Sequence, residues 1–189
     1  MTIRLDIYTA DGMARGILAS VGHLREALDA ADEILLERAS WQGRDDPAPR
    51  PVGSTTIAVD DIVVALTDGD PTVPVHAVWH PVHLEAGPYV IDGEIPTMPG
   101  FDPGRALTRP TGSFVVLRDM RMGRLDRPAA LPLVAGEALV NRYVVEQVVA
   151  ELPLEFLFPG ADMVHTEPDV TDRPAPTLVP TTVRASSIA

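Results

Sequence analysis

The segment HAVWHPVHLE puts His76, His80 and His83 close together, with Glu85 just beyond. Imidazole nitrogens beside a carboxylate suit Zn, Ni or Fe. A divalent metal is therefore the first cofactor to weigh. Side chains alternate across a strand. A regular strand sets His76 and His80 on one face and His83 on the other, so a shared site needs a bend at Pro81. The competing reading is a half-exposed strand whose histidines pack beside Trp79 or line an interface.

Arginines form the second constellation. RDMRMGRLDR gathers Arg118, Arg121, Arg124 and Arg127, and the loop PTMPGFDPGRALTRP carries Arg105 and Arg109. Guanidinium forks and loop N–H groups suit anions. Arg118, Arg121, Arg124, Arg105 and Arg109 are thus candidates for anion binding or for docking an acidic patch of another subunit. Acids pair at Asp45-Asp46, Asp60-Asp61 and Asp68/Asp70. Such pairs divide acid and base roles when their environments differ. Asp60, however, matches Asn141 in a related segment. An amide cannot replace a catalytic carboxylate, whereas Asp and Asn both bond backbone in tight turns. A structural role fits that position better.

No catalytic residue is assigned. No serine lies in G-x-S-x-G, and neither G-x-G-x-x-G nor a P-loop occurs. The absence of cysteine excludes disulfides, thiol nucleophiles and thiolate zinc sites. All 15 basic residues are arginine, so lysine Schiff bases are excluded too. Against them stand 27 acids, a net charge of −12. Nucleic-acid affinity comes largely from cations at phosphates, so no nucleic-acid partner is expected.

These side chains must be held by a core, which 46% hydrophobic content allows. No apolar run approaches the roughly 20 residues that span a bilayer. The opening MTIRLDIYTADG carries Arg4 and Asp6 where a leader would be apolar. A cytoplasmic location without membrane contact is the expectation. TIRLDIYTADGMARGILAS reads as a hairpin turning at Asp11-Gly12. Leu24, Ala27, Leu28 and Ala31 are spaced for a short helix over 23–31. EILLERASW, TTIAVDDIVVALTD, VPVHAVWHPVHLEA and SFVVLRDMRM read as strands, and the valines of EALVNRYVVEQVV favour strand as well. Residues 43–54 read as a Pro-rich loop, and 87–112 as an irregular Gly- and Pro-rich excursion with short strands. From Asp162 on, the Pro- and Thr-rich chain is expected to be disordered.

TIAVDDIVVAL has an echo in ALVNRYVVEQV. An offset of 81 lays Val59, Asp60, Ile62, Val63 and Val64 on Val140, Asn141, Tyr143, Val144 and Val145. The same offset lays Leu36, Ala39 and Trp41 on Leu117, Met120 and Met122. The expectation is a mainly β chain of two similar small, bent β-barrel or β-sheet modules, each with a short helix. The first takes residues 1–80, the second 81–160, and a tail 161–189. The strand order, with an Asp or Asn before the closing apolar run, resembles the small SH3-like barrels of the Sm-like type. That resemblance implies the barrel. The family's Arg-Gly turn and its Asp-x-φ-Met-Asn RNA signature are missing, so it implies no RNA site. The functional expectation is a non-enzymatic protein-binding, assembly or adaptor protein, self-associating or bound to a protein partner. The alternative is a small metal-binding protein or metalloenzyme using His76, His80 and His83.

Overall fold

A computed structural model describes residues 2–19, 22–67, 77–97 and 112–166. Among these residues eleven strands and one short helix follow in order. They are β1 (Thr2–Thr9), β2 (Gly12–Ala19), α1 (Leu24–Asp29), β3 (Glu33–Gly43) and β4 (Arg50–Ala58). A 3-10 turn at Val59–Asp61 leads into β5 (Ile62–Thr67). Then come β6 (Val78–Ala86), β7 (Tyr89–Thr97), β8 (Phe114–Arg124), β9 (Leu133–Asn141), β10 (Val145–Ala150) and β11 (Asp162–His165). The chain is mainly β, and its strands form one open sheet ordered β11-β10-β6-β7-β8-β9-β5-β1-β2-β3-β4. Residues 2–67 thus run β5-β1-β2-β3-β4, and residues 78–150 run β10-β6-β7-β8-β9. The two stretches meet where β5 pairs antiparallel with β9, Val64 opposite Val140 and Ala65 opposite Leu139.

Two hydrophobic clusters flank that joint. One collects β6–β10 together with Val63 and Val64; the other collects β1–β4 and α1 together with Ile62, Ala65, Phe114, Val116 and Leu139. Neighbouring residues of β5, β8 and β9 therefore enter opposite clusters. Strands buried on both faces read as continuous apolar runs rather than alternating ones. That is the physical sense of IVVAL, FVVL and ALV.

β3 and β8 share a kink. Arg38 and Asp119 both sit at φ 50, and the pairing register slips beside each of them. Such bulges put two successive residues on one face. Leu36 and Ala39 are buried with Glu37 and Arg38 outside, just as Leu117 and Met120 are buried with Arg118 and Asp119 directed outward. The spacing L-x-x-φ-x-φ is the mark of this bulge. Gly16 and Gly93 cross the two kinks. A Cβ at Gly16 would lie 2.9 Å from Leu36 Cβ, and one at Gly93 would lie 2.8 Å from Leu117 Cδ2.

Four expectations are corrected. The loop expected over 43–54 is a strand from Arg50 onward, because Pro51 sits at the sheet edge, where its missing N–H costs no ladder bond. TTIAVDDIVVALTD is two strands around a 3-10 corner, since buried Val59 and Ile62 flank exposed Asp60 and Asp61. The excursion after Gly87 begins with a full strand, β7. The tail is ordered over Asp162–His165, where β11 pairs parallel with β10. The expected second helix and the tail beyond residue 166 lie outside the described residues.

Candidate functional site

The sequence-derived candidates separate in space. His80 and His83 lie on β6 in unbroken register with β7. His80 follows the parity of buried Val82 and Leu84, and His83 that of Pro81 and Glu85, so Pro81 does not turn them together. His80 Nε2 shares a 2.8 Å hydrogen bond with Thr97 Oγ1, while His83 Nδ1 lies 2.7 Å from Asp92 Oδ1. His76 lies outside the described residues. Among the described residues no group of three His, Asp or Glu side chains is placed to hold a metal ion.

The arginines are largely engaged by the chain's own acids. Arg118 Nε donates to Glu94 at 2.5 Å and its guanidinium stacks 4.2 Å from the Trp79 ring. Arg124 pairs with Asp126 at 2.6 Å and with Asp45 at 3.3 Å, and also donates to the Arg44 carbonyl. The hydrogen bond with Arg124 holds the Asp126 carboxyl below its ordinary range. Arg127 reaches Asp45 at 2.9 Å. These contacts tie the β8–β9 loop to the β3–β4 loop. Arg121 is exposed on β8. Arg118 also borders a cleft of about 740 Å³ with Arg4, Asp6 and Asp119. Arg105 and Arg109 lie outside the described residues.

A larger cleft, about 830 Å³, opens where distant segments meet. That volume is in the range of ligand-binding clefts. One wall is Thr55–Ala58 of β4 with Asp60 and Asp61 of the corner; the facing wall is Tyr143–Glu146 at the start of β10. The β1–β2 turn, Trp41, Val63, Gly87, Pro159 and Gly160 also line it. The Val59–Asp61 corner and the β9–β10 turn are pinned to the residues just before β3 and β8. Val59 N–H donates to the Asp32 carbonyl at 2.8 Å, and Arg142 N–H to the Ser113 carbonyl at 2.9 Å. Asn141 Oδ1 accepts from Tyr143 N–H at 3.1 Å, a turn-forming bond of the kind its side chain suits.

A tyrosine pair lies beside Thr9, which lines the cleft. Tyr8 and Tyr89 meet edge to face at 6.1 Å, and Tyr89 Oη donates to the Thr9 carbonyl at 2.9 Å. Burial, with Asp6 nearby, pushes the Tyr8 phenol up to about 12, and burial raises Tyr89 as well. Both stay protonated at neutral pH, and Tyr89 acts as a hydrogen-bonding strut.

The cleft wall at β4 is a sheet edge. Edges guard themselves with prolines, bulges and charges. Arg50, Pro51, the φ +77 of Gly53 and the register slips near Ala39 guard its first half. Ser54–Ala58 pairs regularly with β3 and carries no such guard. β11 covers β10 only from Gln147 to Ala150, so Val145 and Glu146 lie beyond its reach. Sequence reasoning picked Asp60 and Asn141 from this region but not the cleft. Comparison with protein-family models, curated proteins and solved structures gives no match. No helix among the described residues is long and apolar enough to cross a membrane. The functional reading therefore rests on geometry.

Proposed function

We propose that this chain is a non-enzymatic assembly or adaptor protein, built from a duplicated β module, that accepts a strand from a protein partner. The like strand orders of residues 2–67 and 78–150 support the duplication, as do the paired bulges at Arg38 and Asp119 and the 81-residue offset linking them.

The observation that carries the reading is the unequal fate of two equivalent joints. Val64–Val140 and Ala65–Leu139 are paired. Exchanging the two halves turns these into Val145–Val59 and Glu146–Ala58. Ala58 and Glu146 instead line opposite walls of the open cleft. An unpaired sheet edge recruits an extended segment through its free N–H and C=O groups.

Selection of peptides from a random display library against the purified chain tests this. Thr55→Pro and Thr56→Pro each remove one amide, and alternate amides of an edge strand point outward. The variant that keeps the parent's urea midpoint has lost an outward amide. It should lose selected peptides at least about tenfold, the worth of roughly one net hydrogen bond. Unchanged affinity in that variant contradicts strand addition.

A further inference from the structure

We infer that the segment this cleft accepts is basic, an extended stretch with Arg or Lys at alternate positions. The inference rests on the strand-accepting reading and adds the chemistry of the partner. Asp11, Asp60, Asp61 and Glu146 all line the cleft, and among the described residues no arginine or histidine does. All four are exposed. Several acids elsewhere are paired: Asp6 with Arg15, Asp29 with Arg25, Glu94 with Arg118, Asp45 and Asp126 with Arg124. Among the described residues, the four cleft carboxylates take part in no ion pair. Arg142 is buried, its guanidinium 5.1 Å from the Tyr143 ring, and does not line the cleft.

The carboxylates flank an open backbone edge. Asp60 and Asp61 directly follow β4, and Glu146 opens β10 on the facing wall. A strand laid along Thr55–Ala58 presents alternate side chains to one face. Arg or Lys on that face meets carboxylates from both walls, and Trp41 offers an aromatic surface of the kind cations favour. An acidic strand would meet like charge there, which costs specificity partners dearly. The net charge of −12 draws a basic segment from a distance, and the cleft fixes its register.

Three acetylated, amidated hexapeptides test the inference by fluorescence anisotropy: (Arg-Val)3, (Glu-Val)3, and (Arg-Val)3 with alternate backbone nitrogens methylated. The (Arg-Val)3 peptide should bind at least about tenfold tighter than either of the others, a difference near 1.4 kcal/mol. Its affinity should fall with added salt. The variant Asp60→Asn, Asp61→Asn, Glu146→Gln should lose about tenfold, while Glu33→Gln, Glu37→Gln on β3 should bind like the parent. Equal binding of (Glu-Val)3, or equal losses in the two variants, overturns the basic partner. If both unmethylated peptides bind and methylation abolishes binding, strand addition survives and only the charge assignment falls. Undiminished binding of the methylated peptide overturns both.

Discussion

The β5–β9 joint and the cleft between β4 and β10 start from like sequences and end differently. At the joint, Val64 and Val140 are fully buried in one hydrophobic cluster, and Ala65 and Leu139 are buried in the other. At the cleft, the corresponding positions hold Val145 and Val59, each buried in its own half, with Ala58 and Glu146 facing open space. The difference lies at the second pair. Ala65 and Leu139 are apolar and buried, whereas Glu146 is charged and exposed. Pairing Glu146 against Ala58 would draw a carboxylate toward apolar surroundings, which is costly without a partner charge. One joint thus consists of apolar, buried pairs, whereas the other carries an exposed acid at its second position.

The largest effect should come from charging the sealed side. Val140→Asp puts an unpaired carboxylate in a fully buried position, a change worth more than about 4 kcal/mol. Ala58→Asp on the open side should cost within about 0.5 kcal/mol, as surface substitutions do. Urea unfolding should show the first variant without a native baseline and the second near the parent. Similar losses in both would erase the contrast.

The two kinks allow a finer comparison. Gly16→Ala and Gly93→Ala should each cost about 1–3 kcal/mol through overpacking. Gly16→Ala should cost more, because it meets the fixed Leu36 Cβ while Gly93→Ala meets the movable end of Leu117. Denaturant midpoints at constant slope read the order directly.

Tyr89→Phe removes the donor to the Thr9 carbonyl, which ties the β6–β7 hairpin to the β1–β2 hairpin. About 1 kcal/mol should go. A further effect is alkaline. Tyr8 ionises near 12 in the fold and near 10 when unfolded. Its stabilisation is complete below pH 10 and is lost as pH rises through about 12. A Tyr8→Phe chain should show a shallower loss of stability across that window. An identical pH profile would remove the burial from the account.

The hairpin at Asp11-Gly12, the short helix and most strands were legible, because each is coded by local alternation or spacing. The corner at Val59–Asp61 was not, since neither Gly nor Pro marks it; the paired aspartates between buried Val59 and Ile62 were the available signal. The bulges were written in L-x-x-φ-x-φ, where three positions separate inward residues instead of two. β11 was hidden because Asp162–His165 is a strand only by virtue of the β10 edge it meets. The histidine and arginine candidates were read from sequence proximity, yet strand parity parts His80 from His83 and internal acids take up most of the arginines. The cleft escaped because its walls come from residues 55–61 and 143–146, which only the β5–β9 joint brings near each other.

Amide hydrogen exchange of Thr55–Ala58, followed with and without a display-selected peptide, bears most directly on the proposal that the cleft accepts a strand. The outward amides should exchange quickly in the free chain, while Val64 and Ala65 exchange slowly, and should slow at least about tenfold with peptide bound. Outward amides already as slow as those of Val64 and Ala65, or unmoved by the bound peptide, would contradict it.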